Sequence, residues 1–529
     1  MPSASLVLRG GVIHTLEGAR PRASALAAIG EEIVALGDEG DVAGLIGPGT
    51  EVFDLGGRTA IPGLIDAHVH LLWLGFALGQ VDLRDAATIE AAAARAAAHR
   101  GDDEWIVGTG WDPNRWPRWP TRHDLDRVFP DRPVALWSHD LHSLWANGAA
   151  LRRAGITAAT AAPEGGQIVR DPSGEPSGVL RERAAELVTA AIARPSAAAC
   201  DAATRRALRR ANELGLTGVH TMEGAEARAS LQRLREDGDL TLRVCAHLAR
   251  DELEGAIGLG LRTGFGDEYL RIGGLKLFAD GALGSQTALM LEPYQGQAQN
   301  RGVEVLTVEE LRAYAERAAG HGIALTVHAI GDLANRRVLD ALALARRAEP
   351  SGESRPRLRH RIEHAQIVHP DDLARFAELD VVASVQPVHA TSDLATAERF
   401  WGARTPWSYA WRGLLAAGAR LAFGTDCPVE PLDPIGTIHA AVTRRRADGT
   451  PPGGWHPEQR LTVEESVRAY TLGSAHAAGE EARKGSLALG KLADLTVLSR
   501  DPFATPADEL LDLRVETTIV GGRVIYRAA

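Results

Sequence analysis

Ile61 to Leu71 reads IPGLIDAHVHL, an apolar run that leads into two histidines at alternate positions, His68 and His70. In a β-strand, side chains at positions i and i+2 lie on the same face, so both imidazoles can reach one metal ion. Neutral imidazole is a good ligand for zinc and related ions, and two imidazoles on a rigid strand end fix part of a coordination shell. The stretch therefore predicts a strand whose end carries part of a metal site.

The His-x-His pair alone is weak evidence for a metal. With 18 histidines in 529 residues, chance alone gives about 0.6 such pairs, so the context must supply the remaining ligands. An isolated pair is more often two partly buried structural histidines. The pair gains weight only if further ligands occur at corresponding places in the chain.

Composition limits the classes of partner. Hydrophobic residues make up 45% of the chain and charged residues 24%, and the mean hydropathy is −0.12, as in ordinary soluble proteins. No apolar run approaches the roughly 18 residues of a membrane span. The net charge of −11 disfavours nucleic acid as a partner. We expect no membrane and no nucleic-acid partner, and the oligomeric state stays open, a homo-oligomer included.

The compartment is inferred from the N-terminus and the cysteines. The first residues lack the basic region and the long apolar segment of a secretory signal. Three cysteines, Cys200, Cys245 and Cys427, show no CxxC spacing, which argues against a disulfide framework and fits a reducing compartment. We therefore expect a cytoplasmic protein.

Both ends of the chain contain short β-runs broken by glycines. ALAAIGEEIVALGD places Gly30 at a predicted hairpin turn, and VETTIVGGRVIYR places Gly521 and Gly522 at another. Since chain termini commonly lie close together on a domain, we expect residues 1–59 and 480–529 to form one discontinuous β-sandwich domain.

The middle of the chain, residues 60–479, alternates apolar strands with helical segments such as Val308 to Ala319 and Asp372 to Leu379. Repeated βα units imply a parallel sheet, and eight strands is the count of an α/β barrel of the (β/α)₈, TIM type. After the His-x-His strand, seven strands are predicted: LTGVHTME (216–223), LRVCAHL (242–248), RIGGLKLFAD (271–280), IALTVHAIGD (323–332), RIEHAQI (361–367), VVASVQP (381–387) and RLAFGTDCP (420–428).

One spacing is irregular, because the first and second strands are far more widely separated than a βα unit needs. We therefore expect an insertion after the first barrel strand, at about residues 76–200. Six of the eleven tryptophans fall between Trp105 and Trp145. They indicate either an aromatic wall over the barrel mouth or the core of a small inserted domain, and both alternatives stay open.

Polar residues occur at the ends of the predicted strands, where the active site of such a barrel lies. A single histidine such as His328 or His364 is usually a hydrogen-bonded core residue, but two on successive strands beside a His-x-His strand favour a metal site. Asp426 ends the last strand, where a carboxylate can bind a cation and also move a proton. It could equally be the N-cap of the next helix.

Lys276 is the most informative residue, since only three of the 58 basic residues are lysines. It has apolar neighbours on a predicted inner strand, where burial of an ammonium is costly and lowers its pKa. An uncharged amine can add carbon dioxide to become a carbamate, an anionic ligand able to bridge two cations, whereas arginine cannot. The alternative is an ion pair with Asp280 or another acid.

The ordered motifs IPGLIDAHVH, KLFADGALGSQTA, TVHAIGD, RIEHAQ, FGTDCPVEPLDP and GKLADLTVL resemble the amidohydrolase superfamily, in particular the branch that contains N-substituted formamide deformylase. The resemblance covers essentially the whole chain. It implies a metal-dependent (β/α)₈ hydrolase with a β-sandwich made from both termini.

The resemblance also implies a set of site residues. By motif, His68 and His70 would hold one metal, His328 and His364 a second, and carboxylated Lys276 would bridge them. Asp426 would be a ligand and the general base. HSLWAN resembles an HSxxxN element of the branch, which makes His142 and Asn147 candidates for binding the substrate carbonyl.

We expect hydrolysis of a C–N bond in an amide or formamide-like small molecule by metal-activated water, with one or two divalent ions, zinc being favoured by the nitrogen and oxygen ligands. Iron, manganese or nickel stay open, and carbon dioxide would be needed to carboxylate Lys276. The same site could act on an ester, lactone or carbamate or deaminate a ring. A non-catalytic binding protein on the same fold is the second alternative, and loss of ligands would be its signature.

Overall fold

The computed structural model describes residues 3–84, 86–99, 104–112, 116–138, 143–163, 166–350 and 357–529. The chain forms two compact units, one made of Met1–Leu71 and Ala207–Ala529 and the other of Leu72–Arg206. Each unit has its own sheets and its own buried apolar clusters.

An eight-stranded parallel sheet forms the centre of the first unit, and each strand pairs with the next along the chain. At the end of the first strand, Val69 forms a parallel bridge with Cys427, so the first and last strands meet and the barrel is nearly closed. The predicted (β/α)₈ barrel is confirmed. The barrel strands, labelled β1 to β8, are Leu64–Val69, Leu216–Thr221, Arg243–Leu248, Leu270–Phe278, Leu325–Ala329, Arg361–His364, Val382–Val385 and Arg420–Phe423.

Helices alternate with these strands, as the sequence pattern predicts. The helix predicted from Val308 spans Val308–Gly320 and begins with a capping box, in which Thr307 and Glu310 satisfy each other's backbone N–H groups. The other helices of this unit are Glu39–Ala43, Ala225–Asp237, Leu253–Gly258, Asp332–Ala348, Leu373–Glu378, Pro387–Ser392, Leu394–Trp401, Trp411–Ala416, Pro434–Thr443, Val463–Arg468 and Ser474–Ala477. Helices Leu71–Ala77 and Ala197–Glu213 cross the two points at which the chain passes from one unit to the other.

The terminal segments build two further sheets. Their apolar faces share one buried cluster, which contains Leu6 and Leu26 from one sheet and Ile13, Leu495 and Ile519 from the other. This is the packing of a β-sandwich, as predicted. One sheet contains Leu6–Arg9, Ala25–Ile29, Glu32–Gly37 and Glu51–Asp54, and the other Val12–His14, Arg22–Ala23, Thr59–Pro62, Leu495–Leu498, Val515–Val520 and Arg523–Arg527.

The C-terminal hairpin explains the Gly521–Gly522 pair. Strands Val515–Val520 and Arg523–Arg527 are antiparallel, and the two glycines between them have φ of +57° and +68°. A two-residue hairpin turn with both φ values positive favours glycine at both positions. The terminal strands belong to the same compact unit as the barrel, so the domain boundaries at residues 59 and 480 stay a prediction.

The second unit contains a six-stranded mixed sheet and the tryptophan-rich stretch. Trp111, Trp116 and Trp145 lie in one buried cluster with ring centroids 5.7 to 6.3 Å apart, while Trp119 is 41% exposed. Most of these rings are therefore the core of the inserted unit. Its strands are Val81–Asp82, Ile106–Trp111, Val134–Ser138, Ser143–Ala146, Gly166–Arg170 and Pro176–Glu182, and its helices are Ile89–Ala98, Arg122–Asp126, Gly148–Arg153 and Glu186–Thr189.

A helix that spans a membrane must be both long and apolar. In the ranges given above, no helix is both long enough and apolar enough to cross a bilayer.

Candidate metal centre

Three of the predicted ligands, His68, His70 and Asp426, meet where β1 and β8 end. Asp426 Oδ1 lies 3.3 Å from His68 Nε2 and 3.3 Å from His70 Nε2. The backbone fixes this arrangement, since Asp426 N–H donates to His68 O and His70 N–H donates to Cys427 O, both at 2.8 Å. One carboxylate oxygen and two imidazole nitrogens thus face a common point, which suits a divalent ion.

The carboxyl group of Asp426 is ionised although it is buried. Burial raises the pKa of its carboxyl group, but the neighbouring imidazoles of His68, His70 and His364 outweigh burial and hold the pKa well below its usual value. Its backbone has φ of +59°, in the left-handed region. A non-glycine residue in a sparsely populated backbone region costs about 1–3 kcal/mol, and such residues cluster at functional sites.

The second oxygen of Asp426 faces a histidine that sequence reasoning missed. His389 Nε2 lies 3.7 Å from Asp426 Oδ2, and His389, His364 and Asp426 form a second group that could hold an ion. The His389 ring is buried and bonds to the Gln366 amide through Nδ1 at 3.2 Å. The available signal was its place in QPVH, immediately after the predicted seventh strand.

His328 and His364 lie beside this cluster, at the ends of β5 and β6. Their ring centroids are 4.5 Å apart, and the His364 ring is 4.9 Å from that of His68. His364 Nδ1 bonds to Gln386 Oε1 at 2.8 Å, and His328 Nε2 bonds to Gly281 O at 3.0 Å. Because both acceptors are oxygens, the other ring nitrogen of each histidine keeps its lone pair.

Both of these histidines are neutral, as metal ligands must be. Burial, with the charge of Lys276, lowers the pKa of His328 to about 3. Burial, with the neighbouring His328, lowers the pKa of His364 well below its usual value. Neither ring therefore has to lose a proton before it can bind an ion.

Lys276 projects into the same cavity from β4 and is only 4% exposed. Burial lowers the pKa of its ammonium group to about 8. Nζ has no hydrogen-bond partner among the described residues and lies 4.4 Å from the centre of the Phe278 ring. Asp280 is the alternative ion-pair partner that the sequence suggested for Lys276. Its carboxylate instead accepts hydrogen bonds from the backbone N–H groups of Leu289, Ile330 and Gly331.

The two predicted substrate-binding residues belong to the second unit. His142 lies outside the described residues. Asn147 is fully buried at the N-cap of helix Gly148–Arg153, where Oδ1 accepts from two backbone N–H groups and Nδ2 donates to two backbone carbonyls. These contacts give Asn147 a structural role in its own unit. Substrate binding by His142 or Asn147 stays a prediction.

A cavity of about 330 Å³ opens onto the cluster. Its wall combines the four predicted histidine ligands and Lys276 with apolar side chains and two further acids. Nitrogen and oxygen donors of this kind suit zinc and its neighbours, and the orphaned Lys276 amine fits a group that would give it a partner. The apolar and acidic residues are Phe278, Leu283, Ile330, Val429, Asp393 and Glu430.

Comparison with known proteins gives a consistent result. The model of the amidohydrolase family matches residues 51–526. The Bacillus subtilis protein YtcJ is 34% identical over 90% of this chain and 91% of its own, and N-substituted formamide deformylase of Arthrobacter pascens is 31% identical over 98% of both. A crystal structure of an uncharacterized metal-dependent hydrolase from Pyrococcus furiosus, 33% identical, superposes with a TM-score of 0.79 over 94% of this chain and 99% of its own.

Proposed function

The chain belongs to the amidohydrolase family, and from this premise we propose that it is a metal-dependent hydrolase that cleaves the C–N bond of an amide or formamide-like small molecule. One observation carries the proposal. Asp426 directs one oxygen to the His68 and His70 pair and the other toward His389 in the cavity. A carboxylate so placed can bind a cation and exchange a proton with a substrate at the same time.

His68, His70 and Asp426 would hold one divalent ion, and His328 and His364 a second, with zinc the ion that this donor set favours. When bound, such ions polarise a carbonyl group and lower the pKa of water. Asp426 accepts a proton from the attacking water and returns it to the departing amine nitrogen. The apolar residues Phe278, Leu283 and Ile330 contact the organic part of the substrate.

Lys276 would supply the bridging ligand after carboxylation. Its uncharged Nζ attacks carbon dioxide, an N–C bond forms, and one amine proton leaves to solvent, which yields a carbamate anion. The orphaned amine and its lowered pKa support this step. The product replaces a buried amine without a partner by an anion among groups that bind cations.

The choice of an amide rests on the relative named N-substituted formamide deformylase, because the ligand set itself suits amide and ester hydrolysis alike. The test is a metal analysis of the purified protein followed by turnover on matched amides, formamides and esters with the same acyl and leaving groups. We expect bound divalent ions and faster turnover of the amide or formamide. Faster turnover of the ester would replace the C–N assignment by an esterase, and a metal-free active protein would reject the mechanism.

A further inference from the structure

A buried carboxylate that the mechanism does not use contacts one of the proposed ligands. Glu363 Oε2 lies 2.5 Å from His68 Nδ1, on the ring edge opposite to the Nε2 atom that faces Asp426. Glu363 is completely buried at 0% exposure. Since a carboxylate accepts, His68 Nδ1 must carry the proton, and its Nε2 lone pair is left for an ion.

Glu363 is itself fixed from behind by Arg361. Arg361 Nε donates to Glu363 Oε1, its Nη1 donates to His220 Nδ1 at 2.8 Å, and its Nη2 donates to Ala67 O and to Ser384 Oγ. Arg361 is 1% exposed. The guanidinium contacts thus reach β1, β2 and β7 from β6, which leaves the Glu363 carboxylate little freedom to turn away from His68.

The negative charge of Glu363 is balanced by the positive charge of Arg361. Glu363 and Arg361 form an ion pair between Oε1 and Nε, and both side chains are buried. Burial and the charge of Arg361 keep the pKa of His220 well below its usual value, so that ring is neutral and accepts from the guanidinium.

Stability alone is a poor reason for such an arrangement. A buried ion pair loses hydration that its attraction barely repays, and apolar residues of similar volume often serve a core equally well. Here one carboxylate oxygen contacts the guanidinium and the other contacts the outer nitrogen of a proposed metal ligand. A carboxylate at that position orients a histidine ligand and raises its basicity.

The proposed ligands of the second ion have weaker outer partners. His364 bonds to the neutral amide of Gln386, and His328 bonds to the carbonyl of Gly281. Asp280 Oδ1 lies 3.5 Å from His328 Nε2, a longer contact than the 2.5 Å between Glu363 Oε2 and His68 Nδ1, and both Asp280 oxygens already accept hydrogen bonds from backbone N–H groups. The two proposed ion positions are therefore unequal in how closely a carboxylate contacts the outer nitrogen of their histidines.

Building on the proposed function, we propose that Glu363 is a positioning residue for His68, and that it makes the His68, His70 and Asp426 position bind a divalent ion more tightly than the His328 and His364 position. Arg361 holds Glu363 in place, and His220 in turn holds Arg361. The first ion to load would occupy the His68 position.

The experiment is a titration of metal-free, full-length protein with Zn²⁺ under a competing chelator, and with Co²⁺ followed by its visible absorption. We expect two steps in the wild type. Glu363→Gln should weaken the tighter step by about 10- to 100-fold and change the Co²⁺ spectrum of that step, because its amide can accept from only one of Arg361 and His68. Glu363→Asp, which keeps the charge with a shorter reach, should recover part of the loss.

Gln386→Ala serves as the matched control, because it removes the outer partner of His364 and should alter only the weaker step. Unchanged affinity and spectrum in folded Glu363→Gln would overturn the inference, as would equal weakening of both steps. If Glu363→Gln does not fold, wild-type affinity in Glu363→Asp would likewise count against it. A wild-type protein that binds no divalent ion would reject the proposed function itself.

Discussion

The carboxylate of Asp66, on β1, accepts two hydrogen bonds from Thr425, just beyond β8, one from the backbone N–H at 3.1 Å and one from the hydroxyl at 2.7 Å. The same carboxylate accepts from His68 N–H at 3.0 Å. Asp66 is fully buried. These contacts join the first and last strands at the point where the barrel closes, next to the proposed ligands His68 and Asp426.

Thr425→Val should therefore destabilise the protein. It keeps the shape of the side chain but removes one donor from a buried carboxylate, a loss of about 1–3 kcal/mol. Thr425→Ser, which keeps the hydroxyl, is the control and should lose less. Denaturant unfolding of the metal-free proteins measures the difference, and equal stability of the two variants would show that the hydroxyl contributes nothing to closure.

Removal of metal by a chelator should abolish hydrolysis, and added Zn²⁺ should restore it. The reason is the convergence of five histidines and Asp426 on one cavity. The measurement pairs metal content with turnover of the same sample. Full turnover by protein shown to contain no metal would contradict the prediction.

Asp426→Asn should keep the fold and lower kcat by at least about 10²-fold, because general acid–base catalysis is typically worth 10² to 10⁴. Asparagine tolerates the left-handed backbone at this position, where φ is +59°. Cys427→Ser, at the neighbouring buried position, should keep near-normal kcat. If Asp426→Asn did so as well, the proton transfer would have to be assigned to another group.

Lys276→Ala should lose metal and activity together, and Lys276→Arg should do no better, since a guanidinium stays cationic and would repel the ions. A small added carboxylate should partly restore the alanine variant by occupying the place of the carbamate. Intact-protein mass spectra and labelled bicarbonate report the modification directly. An unmodified Lys276 in fully metallated, active enzyme would reject the bridge.

Glu465 provides a test of pH-dependent stability away from the metal centre. Arg412 contacts both of its oxygens at 2.6 Å, and Glu465 caps helix Val463–Arg468 together with Thr462. The hydrogen bonds from Arg412 outweigh the effect of burial and lower the pKa of Glu465 from 4.5 to about 2. Because the folded pKa is the lower one, this stabilisation is present above pH 4.5 and is lost as the pH falls toward about 2.

Glu465→Gln should accordingly lower the free energy of unfolding by about 1 kcal/mol at neutral pH, and the difference from wild type should vanish in acid. Glu464→Gln is the control. Glu464 pairs with Arg468 on the exposed helix face, where such pairs contribute little. A deficit in Glu465→Gln that persisted unchanged at low pH would show that the effect is not ionic.

The barrel and the convergence of part of the candidate metal centre could be predicted because both follow from the periodic alternation of strands and helices. Alternation of apolar strands with helices predicts the parallel sheet, and strand ends converge by geometry, which brings His68, His70 and Asp426 together. The hairpins at Gly30 and Gly521 depend on local turn chemistry. The glycine turns and the histidine and aspartate motifs at the strand ends can each be identified from a few neighbouring residues.

The features of the site and of the insertion that could not be predicted depend on contacts between residues far apart in the chain. Nothing in RIEH indicates that Glu363 meets His68, which lies 295 positions earlier. His389 follows a strand by only a few residues, but a single histidine there is usually a core residue. The tryptophans of the insertion fit a wall or a core equally well in sequence, and only their burial favours the core.

The sandwich has a consequence for synthesis on the ribosome. Strand Thr59–Pro62 lies between Val12–His14, made shortly before it, and Leu495–Leu498, made only after the whole barrel. Until residues 495–527 emerge, one edge of that strand has no partner from this sheet, and an unpaired edge invites association with other chains. The C-terminal strands are thus the last to pair with this exposed edge. Truncated polypeptides that lack these strands should be prone to aggregate.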